Sequence, residues 1–88
     1  MYGDAGNDQM KGEDGEDYMD GGADTDQVCG GNDDDDINGG AGDDTMYSGA
    51  GYIANQFVDG GADTNACGNN SYATLTNCTT SSITSCPW

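Results

Sequence analysis

Glycine, aspartate and an apolar residue return together every nine positions through GDAGNDQMK (3–11), GEDGEDYMD (12–20), GGADTDQVC (21–29), GGNDDDDIN (30–38) and GGAGDDTMY (39–47). Aligned on one another, these units place Gly3, Gly12, Gly21, Gly30 and Gly39 in the first column. Asp8, Asp17, Asp26, Asp35 and Asp44 fill the sixth, and Met10, Met19, Val28, Ile37 and Met46 the eighth. Three columns in step at a fixed period mean that each unit occupies an equivalent place in a repeating fold. The last three residues of each unit read as a short strand whose middle side chain points inward, because neighbours in a strand face opposite sides. The seventh column, Gln9, Tyr18, Gln27, Asp36 and Thr45, is mostly hydrophilic, as an outward face requires. The six residues before each strand read as a loop in which glycine permits positive φ and lets backbone carbonyls converge.

The period loosens toward the C-terminus. SGAGYIANQFVD (48–59) keeps a Gly-Ala-Gly turn but runs three residues long and offers no Asp in the sixth column. Val58 recovers the phase nine residues before Cys67, and GGADTNACG (60–68) carries Asn65 in the sixth column. From Asn69 the composition turns to Ser, Thr and Asn, ending in Cys86-Pro87-Trp88, with SYATLT (71–76) reading as a strand. The expected organisation is a repeat region at 1–68, regular over 3–47 and degenerate over 48–68, followed by a tail or cap at 69–88. Met1-Tyr2 repeats the Met46-Tyr47 pair one period before Met10, which places the start of this sequence inside a longer array.

With 16 glycines and 33% hydrophobic residues in 88, the apolar column alone makes a thin core, and something else must hold the fold. All 17 acidic residues lie between Asp4 and Asp63, against Lys11 as the single basic residue, for a net charge of −16. Such a surface excludes nucleic acid and anionic membranes as partners and invites cations. No stretch is apolar enough to insert into a membrane, and MYGDAGND is not a signal peptide. The chain has no His, and no Ser or Cys stands beside a base, so no enzyme is expected. Asp34-x-Asp36-x-Asn38-Gly39 matches the start of an EF-hand loop but meets Thr45 where a bidentate Glu is required. Cys29, Cys67, Cys78 and Cys86 form no CxxC pair, which argues for two disulfides in an oxidising compartment over a zinc site. The sequons at Asn69 and Asn77 are candidate glycosylation sites and agree with secretion to the cell exterior or surface.

The nonapeptide resembles the G-G-x-G-x-D-x-U-x calcium-binding repeat of the RTX (hemolysin-type) family. The resemblance implies an all-β fold, a right-handed parallel β-roll of about three and a half turns with two units per turn and an irregular, disulfide-tethered tail. It implies about three to five Ca2+ ions, each held between one loop and the loop two units on. The metal ligands would be Asp8, Asp17, Asp26, Asp35, Asp44 and, with one charge fewer, Asn65. The loop glycines would be Gly3, Gly6, Gly12, Gly15, Gly21, Gly30, Gly39 and Gly42. Carboxylates stacked about 4.8 Å apart repel by roughly 3–4 kcal/mol at an effective dielectric near 20, and a divalent ion turns that repulsion into a clamp. Asp24, Asp33 and Asp63 replace the fourth-column glycine of the family pattern, and Asp4 and Glu13 the second-column one.

In such a roll Cys29 and Cys67 stand about 9–10 Å apart along the stack, beyond the roughly 7 Å that a disulfide spans. Each is therefore expected to pair with a tail cysteine, Cys67–Cys78 and Cys29–Cys86 being preferred over Cys67–Cys86 and Cys29–Cys78. The functional expectation is a calcium-stabilised structural module of an extracellular fibre, adhesin or surface protein, in contact with further repeats of a longer chain or other copies of itself. The alternative is a calcium-triggered folding and secretion segment of an exported enzyme or toxin.

Overall fold

A computed structural model of the chain describes residues 1–49, 57–68, 74–83 and 86. The described residues form only strands and loops: β1 (Gln9–Glu13), β2 (Tyr18–Asp20), β3 (Gln27–Gly31), β4 (Asp36–Asn38), β5 (Thr45–Tyr47), β6 (Phe57–Asp59), β7 (Ala66–Gly68), β8 (Thr74–Thr76) and β9 (Thr80–Ile83). Each nonapeptide contributes one strand, and successive strands go to different sheets. The odd ones make a five-stranded sheet in the order β1-β3-β5-β7-β9 and the even ones a four-stranded sheet in the order β2-β4-β6-β8. Every pairing is parallel, so two units make one turn and the chain is the β-roll that the repeat implies.

Register follows the sequence period. Met10 pairs with Val28, Val28 with Met46, and Met19 with Ile37, each pair one turn of 18 residues apart. Where the long unit at 48–59 intervenes, Ile37 pairs with Val58 and Met46 with Cys67, a step of 21 residues. The three extra residues are thus absorbed between strands, and the apolar column stays in line. Slipping any strand by one position would turn that column outward, which fixes the register strongly.

Among the described residues the core is this single column. Met19, Val28, Ile37, Met46, Val58 and Cys67 are at most 1% exposed and Met10 is 6% exposed, with Leu75 and Cys78 packed against them. Each large aliphatic side chain contributes about 1.5–3 kcal/mol on burial. The flanking seventh-column positions face solvent at Gln9, Tyr18, Asp36 and Phe57. Cys29 departs from this pattern: it sits in the outward ninth column yet is 1% exposed. Its disulfide brings Cys86 against that face of the sheet.

The sheets continue past residue 68. β8 pairs with β6 and sets Leu75 on Val58, while β9 pairs with β7 through an irregular register. The expected strand in 71–76 is present over Thr74–Thr76, and residues 71–73 lie outside the described residues. At the other end Tyr2 bridges Asp20 in the same parallel sense, so the Met1-Tyr2 pair holds the register of a strand.

Both disulfides follow the preferred pairing, Cys29–Cys86 and Cys67–Cys78, with Cα atoms 5.6 and 5.8 Å apart. Cys29 and Cys67 lie in β3 and β7, with β5 between them. Peptide mapping without reduction is expected to recover these two linkages, and a Cys29–Cys67 peptide would contradict the stack. By loop entropy alone, the Cys29–Cys86 bond spanning 57 residues stabilises the fold by about 4 kcal/mol. Cys29→Ser with Cys86→Ser should therefore lower the urea-unfolding free energy by about that amount.

Candidate metal centre

The sixth-column aspartates end the loops, immediately before the strands, where parallel stacking sets each over its counterpart one turn away. In each such pair one carboxylate oxygen is committed to the backbone. Asp26 Oδ1 accepts the Asp8 N–H at 2.8 Å, Asp35 Oδ1 the Asp17 N–H at 3.1 Å, and Asp44 Oδ1 the Asp26 N–H at 2.9 Å. Asn65 Oδ1 accepts the Asp44 N–H at 2.9 Å. The structure thus brings together the pairs that the sequence joins, Asp8 with Asp26, Asp17 with Asp35, Asp26 with Asp44, and Asp44 with Asn65. The corresponding step above Asp35 falls in residues 50–56, outside the described residues.

The other oxygen is the unusual one. Oδ2 of Asp8, Asp17, Asp26, Asp35 and Asp44 is buried, and no hydrogen-bond donor reaches it. Asp26, Asp35 and Asp44 are at most 1% exposed as whole residues. A buried carboxylate left unpaired costs several kcal/mol, so these atoms call for a positive partner. A Cβ built on Gly21 would lie 2.6 Å from Asp26 Oδ2 and 2.6 Å from the carbonyl oxygen of Gly39, one turn on. Both oxygens are within 2.6 Å of one point, so they are no further apart than two ligands of one calcium ion at its usual 2.3–2.6 Å. The same cradle recurs at Gly3, Gly12, Gly30 and Gly39, where Asp8, Asp17, Asp35 and Asp44 meet the carbonyls of Gly21, Gly30, Ser48 and Gly60.

Among the described residues no three acidic or cysteine side chains converge on one point. A cation here would take one carboxylate and a set of main-chain carbonyls, hard oxygen donors suited to Ca2+ and unsuited to zinc. The donor set fits calcium.

Two glycine columns differ from the expectation. Gly3, Gly12, Gly21, Gly30 and Gly39 are not in the left-handed region; they are glycine because any side chain would displace the aspartate oxygen and the next carbonyl. Positive φ is found in the fourth column at Gly6, Gly15 and Gly42, and also in the second column at Gly22, Gly31 and Gly40, which the sequence argument passed over. A Cβ at Gly22 would run into the backbone of Asp4 one turn below, which a period count does not reveal.

The aspartates that replace glycine are accommodated. Asp4, Glu13, Asp24, Asp33 and Asp63 all take positive φ, between 71° and 80°. Asp4 and Glu13 occupy the second column in the first two loops, with no described loop beneath them. Asp24, Asp33 and Asp63 gain hydrogen bonds: their Oδ2 atoms accept the N–H of Gly6, Gly15 and Gly42 at 3.1, 3.1 and 3.2 Å. A second ladder of carboxylates, this one exposed and satisfied, runs outside the buried column.

Of the remaining candidates, Asn77 has φ of 54° and its Nδ2 donates to Asp59 Oδ1 at 2.8 Å, while Asn69 lies outside the described residues.

Burial raises the carboxyl pKa of Asp35 and Asp44 from 3.8 to about 6. The hydrogen bonds from Asp17 and Asp26 oppose that rise, and neighbouring aspartates reinforce it. Asp26 shifts in the same direction for the same cause. A folded-state pKa above the unfolded value makes the metal-free fold favour the protonated acid, so its stability is greatest below about pH 4 and falls as pH rises to about 6. The metal-free chain should accordingly show more residual β-structure by far-UV circular dichroism at pH 4 than at pH 7. With calcium in place of the proton the trend should reverse, apparent affinity rising through the same window.

No curated protein and no solved structure matches this sequence. The family model described as the RTX calcium-binding nonapeptide repeat (4 copies) matches residues 1–28 and 30–52, more than half of the chain and all five regular loops. RTX repeats bind calcium and form a β-roll, and here the pairing register, the stacked aspartates and their unpartnered oxygens lie along the matched residues. The chain belongs to the RTX calcium-binding nonapeptide repeat family.

Proposed function

We propose that this chain is a non-catalytic structural module of an extracellular fibre, adhesin or surface protein, soft without calcium and stiffened by it. The observation that carries the reading is the set of five buried, donorless Oδ2 atoms, each set against a carbonyl of the next turn. One Ca2+ at each would be held by Asp8, Asp17, Asp26, Asp35 and Asp44 with loop carbonyls, and the ion would supply charge neutralisation and cross-turn bonding. The thin core and the charge of −16 support dependence on a bound cation, because neither favours a compact metal-free chain. Two disulfides support an oxidising compartment, and the millimolar calcium outside cells suits weak, carbonyl-rich sites.

The test is far-UV circular dichroism and hydrodynamic radius across a calcium titration, with disulfides intact. The metal-free chain is expected to be expanded and coil-like, and millimolar calcium to make it compact and β-rich. Spectra and radius that stay constant would sink the proposal. Asp26 stands in two loop gaps, its Oδ1 on the Asp8 N–H and its Oδ2 toward Gly39. Asp26→Ala should accordingly lower the ion count measured by calorimetry more than Asp8→Ala does.

A further inference from the structure

Asn65 holds the sixth-column place in the unit 60–68, but its side chain does something that no aspartate in that column can. Its Oδ1 keeps the structural half of the role, accepting the Asp44 N–H at 2.9 Å. The other half is inverted. A Cβ on Gly60 would lie 2.7 Å from Asn65 Nδ2, where the equivalent points on Gly21 and Gly39 lie 2.6 Å from a carboxylate oxygen. From that place Nδ2 donates to the carbonyl of Ala62 at 3.0 Å and, at 3.4 Å, to that of Asn77 in the turn above. Exchanging the amide's oxygen and nitrogen would set an N–H against the Asp44 N–H and an oxygen against two carbonyls, so the donors fix its orientation.

We propose that the Asn65 carboxamide stands in for a calcium ion and ends the ion column along this edge of the roll. The inference rests on the calcium reading above. In the regular loops the carbonyls and Oδ2 are all acceptors, so whatever lies among them must bring positive charge or hydrogen-bond donors. At Asn65 one acceptor has become two N–H donors, and unlike the five aspartates it leaves no buried atom without a partner. The step above continues in neutral form: Asn65 N–H donates to Thr79 Oγ1 at 3.3 Å, where lower turns use a carboxylate. Thr79 and Thr80 return their N–H groups to the Asn65 carbonyl at 2.9 and 3.1 Å.

Native mass spectrometry of the full chain in saturating calcium, disulfides intact, decides it by counting ions. Asn65→Asp restores the all-acceptor cradle and is expected to bind one ion more than the parent. Asn65→Ala removes the plug without creating a ligand and is expected to bind the parent's number, which settles the matter should Asn65→Asp fail to fold. An unchanged count in folded Asn65→Asp, or a loss of one ion in Asn65→Ala, overturns the inference while leaving the calcium reading intact. A parent chain that binds no calcium overturns both.

Discussion

A carboxylate oxygen pressed among carbonyl oxygens, with no proton between them, is the contact around which this fold is arranged. Five loops repeat it. It explains why the first column of the five regular units is glycine, since a methyl group there would occupy the space between the two oxygens. A core one side chain deep is supplemented by parallel strand pairing and cross-turn hydrogen bonds, and on the proposed reading also by a cation in each cradle. Lys11 is the chain's single basic residue, so the neutralising charge has to come from solution. On the proposed reading the fold is therefore conditional, and the condition is the composition of the surrounding fluid.

The alternation of strands between two sheets divides the cradles into two columns. Asp8, Asp26 and Asp44 share one edge with Asn65, and Asp17 and Asp35 share the other. Neighbours within a column are linked directly, because each aspartate fixes the amide of the one below while presenting its second oxygen to the loop above. A solenoid of this kind gains stability by nearest-neighbour terms, and its ends must be finished by groups that need no neighbour. Asn65 and Thr79 meet that need on one edge, where neutral hydrogen bonds take the place of carboxylates.

The sequence made the architecture legible because a nine-residue period with one inward position leaves little freedom: strand and inward face follow from it, while the pairing of loops two units apart came from the resemblance to the RTX repeat. Distance made the absence of a Cys29–Cys67 bond legible, since two turns of stacking exceed the reach of a disulfide, but it left two pairings with the tail cysteines open. What the period could not convey was why each glycine is a glycine. Gly21 and Gly22 look alike in a string of letters, yet one clears space for Asp26 and the other avoids the backbone of Asp4. Asn65 read as a weaker aspartate because column position carries no information on which amide atom faces the carbonyls. β9 was missed because Thr80–Ile83 carries little apolar signal, and its place is set by pairing with β7 and by the anchor at Cys86.

The Cys29–Cys86 bond has a mechanical meaning. Tension that enters the chain before residue 29 and leaves after residue 86 passes directly through the sulfur atoms, and the 57-residue span between them bears no load. Stretched out, that span would be roughly 190 Å of slack, and the bond keeps it locked. Pulling can peel away only the first turn and a half, and the length of the remainder is capped by a covalent bond whatever its ions do.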